Sequence, residues 1–439
     1  MDLRVLIYMN PLVVDKISKR FLWEKDSGFL YTKQLINNLP DNWRFTILVP
    51  KGFDNDFFPT AECVEYDYST SIHQNRYHFN RNILAKLLPY GRDIDVVINN
   101  QPEVTANLKV FFQNQRREKP IIINYYHWID CKESRNFAKE LGGFINRQIE
   151  GFDNADMNLF HGEYAENLFI NSVNENLLPY NHTGKNTGYF KPQPTKFGKK
   201  PIDLPPEKII LFNHRLNNTT GWKEVVKSCE KVYKQKQDFV LWITDDQNLK
   251  ERKFLAQYPW IIVQGIPFES YGYLIKNSHF SLCNTQGYAT WNMAVLDSIQ
   301  NGCVPLVPPN PLYIDMFGGK TPTDYDRDLV KSIRLLLDNT KTQNDELLRQ
   351  IKIPKDSNLT KWIESNISDR VRGKDIKKYN DVRQYIMEKK VCEKRDFVNK
   401  FWSFHANSNF QLIRWKLLNI GVKDDTTKKN TTYHNVYKS

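Results

Sequence analysis

Residues 208–235 read KIILFNHRLNNTTGWKEVVKSCEKVYKQ. The first five form a short apolar run of the kind that makes a buried strand. From Trp222 the pattern changes. Apolar residues at 222, 225, 226, 229 and 232 share one face at helical spacing, which predicts an amphipathic helix. Between the two lie His214, Arg215 and a series of small polar residues. A strand passing directly into a helix is half of a βαβ unit. A permanently charged guanidinium at its strand end asks for a counter-ion.

The alternation extends in both directions. Downstream, FVLWITDD, WIIVQG, FSLCNT and VPLVPP read as strands, with ESYGYLIKNS and MAVLDSIQNG as helices among them. Upstream, RVLIYM (Arg4–Met9), RFTILVP, DIDVVINN (Asp93–Asn100), PIIINYYHW and ADMNLFHG (Ala155–Gly162) alternate with helical stretches such as GFLYTKQLINNL and EYAENLFI. Short apolar runs separated by helices argue for parallel sheets with crossovers. Lys191–Pro206, KPQPTKFGKKPIDLPP, is rich in Pro and Lys and reads as a linker. The expected fold class is α/β, with two Rossmann-like domains facing a cleft. Residues 1–190 form the first, 191–206 the linker and 207–340 the second. Residues 341–439 form a helical, basic C-terminal region with a frayed end.

At 439 residues the chain suits two domains rather than one core. Its 40% hydrophobic and 26% charged content is that of a globular protein, with no apolar run long enough to span a bilayer. The start, MDLRVLIYMNPLVV, lacks the basic region and cleavage site of a signal peptide and reads as a first strand. The six cysteines show no paired spacing, which suits free thiols in a reducing cytoplasm. Net charge is +12, and residues 351–439 hold 20 Lys plus Arg against 10 Asp plus Glu. That basic end fits either a polyanionic partner or a solvated helix surface with a basic tail.

In open parallel sheets, ligands bind beyond the carboxyl ends of the strands. Arg215 lies at such an end, and Lys223 falls in the first turn of the following helix. That helix start offers free N–H groups to an anion. Arg215 can grip two phosphate oxygens and Lys223 can add a second charge. The stretch CNTQGYATWNMAVLDSIQNGCVPLVPPN (Cys283–Asn310) offers a second such place. Gly287 permits a tight turn, ATWN opens a helix, and Asp297 within it can accept from both hydroxyls of a ribose. The plain alternatives are a surface Arg and an exposed helix Asp. GIPFESY (Gly265–Tyr271) reads as a turn that either holds a base or is a plain loop, TDD (Thr244–Asp246) as a loop, and DID (Asp93–Asp95) as either a metal-binding pair or the flank of a strand. DYD (Asp324–Asp326) is a further acidic pair. There is no Walker loop, G-x-G-x-x-G fingerprint, nucleophile elbow or zinc spacing.

The segments ILFNHRLNNTTGWKEVV and IPFESYGYLIKNSHFSLCNTQGYATWNMAVLDSIQNGCVPLVPP resemble the C-terminal half of family-4-type glycosyltransferases of the GT-B fold. ADMNLFHGEYAENLFI and INYYHWID resemble, more faintly, elements of that family's N-terminal half. The resemblance implies that Arg215, with Lys223, holds the donor diphosphate and that Asp297 holds the ribose. It implies that Gly287, Tyr288, Ala289 and Thr290 cradle phosphate or sugar, and that Gly302 with Pro305 is the family's G-x-P. It also brings His127 to the cleft, with Trp128 and Asp130 on the acceptor side. His214 either aims at the sugar or braces its loop. Tyr125, Tyr126 and Trp128 either pack against base or sugar or belong to the core. The chain departs from the family at Gln286, where a Glu is usual, in its longer spacing to Asp297, and in the distance of Lys223 from Arg215.

NHR before the helix is similar to the glycosyltransferases that mannosylate queuosine in tRNA. With the basic extension, the chain also resembles bacteriophage enzymes that glycosylate hydroxymethylated pyrimidines in DNA. The expectation is a retaining hexosyl- or pentosyltransferase, phage-encoded and working in the host cytoplasm. It moves sugar from a UDP-sugar to 5-hydroxymethylcytosine in double-stranded DNA, with no obligatory metal or other cofactor and no membrane partner. Two rivals stand beside it. One is a surface-polysaccharide or lipid-linked glycan transferase, with FWSFHANSNFQLIRWKLLNIG (Phe401–Gly421) as its membrane-surface helix. The other is a catalytically idle GT-B-like nucleic-acid-binding protein.

Overall fold

The computed structural model describes residues 3–9, 23, 26–66, 86–87, 94–115, 119–129, 143–176, 187–285, 289–319, 328–353, 359–368, 391–393, 422–425 and 432–435. Seven parallel strands form a first sheet in the order β3-β2-β1-β4-β5-β6-β7. They are β1 (Arg4–Tyr8), β2 (Arg44–Pro50), β3 (Ala61–Tyr66), β4 (Val96–Asn99), β5 (Ile121–Tyr125), β6 (Met157–Phe160) and β7 (Thr187–Tyr189). Five more parallel strands form a second sheet in the order β10-β9-β8-β11-β12. These are β8 (Lys208–Phe212), β9 (Phe239–Ile243), β10 (Ile261–Val263), β11 (Phe280–Leu282) and β12 (Pro305–Leu306).

Every residue of β4, β5, β6 and β9 is buried. This follows from helical crossovers, which cover both faces of a parallel sheet. Along β1, Val5 and Ile7 enter one apolar core while Leu6 and Tyr8 enter the other, as the two-residue period of a strand requires. The second sheet likewise splits Ile210 and Phe212 from Ile209 and Leu211. The expected α/β class is therefore present, with two parallel sheets.

Strand order fixes where a ligand can sit. In each sheet the chain winds outward one way (β1 to β3, β8 to β10), then returns beside its first strand and winds the other way. The connections leaving β8 and β11 diverge to opposite sides and leave a crevice at their carboxyl ends. The segment HRLNNTTG leaves β8 at that point, and CNTQGYATWN leaves β11 beside it.

Residues 190–207 contain no helix or strand, yet they lie along the second sheet's helices. Thr195 N–H donates to Asp297 at 2.7 Å, Phe197 N–H to Asn301 Oδ1 at 3.2 Å and Lys200 N–H to the Glu269 carbonyl at 2.8 Å. Phe197, Ile202 and Leu204 pack on the core beneath. Proline richness excludes regular structure here but not docking.

Past residue 353 the chain returns to the first sheet. The helix Leu359–Ser368 places Leu359 and Ile363 in the same core as Val5 and Ile123. The described residues beyond it are short strands, Val391–Glu393, Val422–Asp425 and Thr432–Asn435, paired antiparallel. The sequence reading expects helix over the first and a frayed end over the other two. Phe401–Gly421 lies outside the described residues.

Ile363 is fully buried, so Ile363→Ala should leave a cavity and destabilise the protein by about 2–5 kcal/mol. Chemical denaturation followed by circular dichroism measures it. An unchanged midpoint would show that this helix does not complete the first core.

Candidate functional site

The end of β8 is fastened from several sides. Asn213 donates through Nδ2 to the Ala294 carbonyl at 2.9 Å and to Ser298 Oγ at 3.1 Å, both on the helix Met293–Gln300. Leu216 N–H donates to Asp245 Oδ2 at 2.6 Å. Asn217 Oδ1 accepts from Thr219 N–H and Thr220 N–H, a side-chain cap on a single 3₁₀ turn. Thr220 Oγ1 returns to the Arg215 carbonyl at 2.7 Å. Gly221 then turns the chain into the helix Trp222–Tyr233 with φ of 63°. The Arg215 backbone is thus fixed while its side chain stays exposed. His214, its neighbour, is buried against Phe212 with ring centroids 5.2 Å apart.

The end of β11 is fastened crosswise. Asn284 Nδ2 donates to the Gly221 carbonyl at 3.3 Å and to Glu224 Oε2 at 3.0 Å. Cys283 Sγ lies 2.9 Å from the Tyr313 hydroxyl and accepts from Asn292 Nδ2 at 3.1 Å. Burial alone would push the Cys283 thiol up, but the adjacent His214 imidazole and the Tyr313 hydroxyl bring it down to about 7. His214 thus contacts Cys283 on the floor of the crevice, and its Nε2 has no partner among the described residues. Asn292 caps the helix Met293–Gln300 by accepting from Val295 N–H at 3.3 Å.

The first sheet faces this crevice with two histidines. His127 follows β5, and its Nε2 lies 2.8 Å from Ser27 Oγ. Ser27 opens a helix, Ser27–Asn37, whose buried cap Asp26 accepts from Gly28 N–H at 2.9 Å and Phe29 N–H at 3.3 Å. Burial holds the His127 pKa below its ordinary value; the Asp26 carboxylate opposes that shift and the Arg215 guanidinium adds to it. The charge of Arg215 is therefore felt at His127 across the cleft. His161, which follows β6, is 1% exposed, and burial together with His127 keeps its pKa low as well.

Direct contacts join the two walls. Thr290 Oγ1 donates to the His127 carbonyl at 3.0 Å. The Trp291 ring lies parallel to His161, with centroids 5.6 Å apart and 4° between planes. Asp315 Oδ2 accepts from Tyr164 N–H at 3.0 Å and Asp315 Oδ1 pairs with Lys191 at 3.4 Å. That puts a carboxylate of the second sheet at the start of the helix Glu163–Asn176, where unpaired N–H groups and the helix dipole favour it.

Arg215, His127, Thr290 and the buried His214 thus converge at the crevice. Ala289 packs beside Thr290 in the cluster around Leu312. Lys223 is exposed with its ammonium 5.7 Å from the Trp222 ring centre. Trp128 is half-buried, and its carbonyl accepts from Gln148 Nε2 at 2.9 Å. Tyr125 and Tyr126 belong to the core; Tyr125 stacks on Tyr31 at 3.8 Å. Gly287, Tyr288, Asp130 and Asp324–Asp326 lie outside the described residues. Asp95 accepts from Arg4 N–H at 3.0 Å, as a strand flank does, and Asp246 accepts from Gly265 N–H at 3.1 Å. Among the described residues no group of three or more His, Cys, Asp or Glu could hold a metal ion, and no helix is long and apolar enough to cross a membrane. Four participants escaped the sequence reading: Ser27, His161, Trp291 and Asp315. For His161 a signal existed, since FHG ends a strand just as YYHW does.

Asp297 sits in the helix Met293–Gln300, and its Oδ1 accepts from Thr195 N–H. Burial pushes its carboxyl up to about 7, against the lowering effect of Thr195. A pKa raised on folding means that the folded state holds its proton more tightly than the unfolded chain. The stability this contributes is fully present below pH 3.8 and is lost as pH rises to about 7. Asp297→Asn keeps an acceptor for Thr195 and removes the titration. The variant should match wild type in thermal melts near pH 4 and exceed it by at least about 2 °C at pH 8. Parallel melting curves across that range would refute the buried carboxyl.

No protein-family model matches the chain, and no curated protein matches it in sequence. Solved structures do match in fold. A trehalose-6-phosphate enzyme from E. coli bound with UDP-2-fluoro glucose superposes with a TM-score of 0.54 at 11% identity, covering 83% of this chain and 98% of its own. HepE of Anabaena, in complex with UDP and glucose, gives 0.55 at 9% identity, covering 84% and 100%. The N-terminal domain of Candida albicans trehalose-6-phosphate phosphatase gives 0.57 at 12% identity, covering 83% and 96%. Two parallel-sheet α/β halves facing a cleft, in the arrangement of these proteins, give the chain the GT-B fold of glycosyltransferases.

Proposed function

We propose that this protein is a glycosyltransferase that moves a sugar from a UDP-sugar to a hydroxymethylated pyrimidine, 5-hydroxymethylcytosine, in DNA. One observation carries the donor half. An exposed arginine stands on a rigidly fastened backbone at the switch point of the second sheet, and its charge reaches a histidine of the opposite wall. A leaving nucleoside diphosphate gathers negative charge as the glycosidic bond breaks, and a guanidinium there stabilises the transition state more than the ground state. UDP with glucose, or a UDP-glucose analogue, occupies two proteins that share the fold.

In this reading Arg215 takes the diphosphate, and the turn at Gly287 to Thr290 cradles phosphate or sugar. Lys223 extends the positive field from the helix flank. His127 is neutral, held through Nε2 by Ser27, and meets the sugar or acceptor from the first sheet. Trp128 and Asp130 stand on the acceptor side. Glycosyl transfer with retention is described for trehalose-6-phosphate synthase, and retention is proposed here by analogy of fold. The DNA acceptor rests on the excess of 20 basic over 10 acidic residues in 351–439, which suits a phosphate backbone.

Arg215→Ala should lower turnover by at least about 100-fold, the scale of losing one preorganised charge donor, with little change in melting temperature. Near-normal activity would remove Arg215 from the site. Mass spectrometry of nucleosides, after incubating 5-hydroxymethylcytosine DNA with UDP-glucose and UDP-arabinose, tests the reaction. Glycosylated nucleoside is expected. Release of UDP without any glycosylated nucleoside would keep the transferase and discard the DNA acceptor. Truncation after residue 389 should weaken DNA binding and flatten its salt dependence; unchanged affinity would remove the polyanion argument.

A further inference from the structure

We infer that His161 and Trp291, on opposite walls of the cleft, form a subsite that reads the hydroxyls of an uncharged sugar on the donor. This rests on the donor reading above and assigns two side chains to the sugar. His161 is 1% exposed, and its Nδ1 has no hydrogen-bond partner. Trp291, stacked parallel on it, has a buried Nε1–H that is likewise without a partner. His127, with ring centroid 5.7 Å from His161, adds a third such nitrogen, its Nδ1.

A buried polar atom left unpaired is destabilising, and native structures carry few of them. Three at one junction between two sheets mark a place where a hydrogen-bonding group belongs. The chemistry of the three narrows it. An indole N–H only donates, and a neutral imidazole offers one donor and one acceptor. Both imidazoles are held neutral by burial. The junction therefore has no formal charge of its own. The nearby Asp26 carboxylate is engaged by the N–H groups of its helix cap. Such a set pairs with hydroxyls, which both donate and accept. With Arg215 taken by the diphosphate, it gives nothing to balance a carboxylate or an ammonium, whose burial without a counter-ion is costly.

Position agrees with chemistry. Trp291 directly follows Thr290, whose hydroxyl binds the His127 carbonyl, and the Arg215 charge is felt at His127. A sugar bonded to a phosphate held by Arg215 would extend toward these nitrogens.

Calorimetric titration with UDP, UDP-glucose and UDP-glucuronic acid tests the assignment on wild type, His161→Phe and Trp291→Phe. Each variant keeps an aromatic ring in the stack and removes the nitrogen; Trp291→Phe is the readout if His161→Phe fails to fold. Wild type should bind UDP-glucose more tightly than UDP or UDP-glucuronic acid. Each variant should hold UDP within about twofold of wild type and lose roughly 5–10-fold in UDP-glucose affinity, the scale of one hydrogen bond. Equal loss for UDP and UDP-glucose, or no loss for either, overturns the subsite. So does UDP-glucuronic acid binding as tightly as UDP-glucose to wild type. Binding of UDP with no gain from glucose defeats this inference alone, whereas failure to bind UDP defeats the donor reading and the subsite with it.

Discussion

Asn284 fills the space that a side chain at position 221 would need. A Cβ on Gly221 would lie 2.4 Å from Asn284 Nδ2, and the glycine's φ of 63° is one that side-chain-bearing residues rarely adopt. This close approach ties the end of β11 to the helix that follows β8. Asn213 ties the end of β8 to the helix that follows β11. The two staples cross the switch point, so neither strand end can move without the other's helix. Strand order alone makes a crevice there, and the staples give it a fixed shape. Arg215 and Thr290 are both carried by backbone that these bonds position.

The opposing wall is held by a similar exchange between sheets. Asp315 supplies a carboxylate to the start of the helix Glu163–Asn176, and Gly162 leaves room for it, since a Cβ there would lie 2.3 Å from Asp315 Oδ2. Thr290 and Trp291 reach His127 and His161 within the same segment of chain. Polar contacts of this kind depend on geometry more than apolar ones do, so they fix register between the walls. The junction nonetheless keeps unpaired nitrogens at its centre. Departures from local consistency of this kind are expected where a function lies.

Much of the fold was legible because apolar runs and helical faces obey fixed periods. KIILF and FVLWI could be little other than buried strands, and the helix Trp222–Tyr233 follows its own spacing. The crevice was legible because strand ends in parallel sheets are where ligands go. What escaped depends on pairs distant in sequence. Ser27 and His127 are 100 positions apart, and Asp315 and Tyr164 are 151 apart. No local pattern reports such meetings. The docking of 190–207 was missed because proline predicts the absence of regular structure and says nothing of the backbone N–H groups that remain. The late strands beyond 390 were missed because charged, mixed sequence carries no strong period of either kind.

Asp297 shows how one side chain can carry two expectations. The sequence reading gives it the ribose, and the structure gives its Oδ1 to Thr195 N–H. A carboxylate has about four lone-pair sites, so one N–H does not exhaust it. If a ribose takes the remaining capacity, the donor and the 190–207 segment share one anion. That segment also holds the first sheet, since Gln193 N–H donates to Gln34 Oε1 at 2.7 Å. Two hydroxyl donors would favour the charged carboxylate and draw its pKa down from about 7. Linkage then works in both directions. Donor binding would strengthen the tie that runs from the second sheet to the first, and a firmer tie would hold the donor better at neutral pH. Placed on a rigid part of one sheet alone, the same carboxylate would bind ribose equally well but could not connect occupancy of the site to the seating of the two walls.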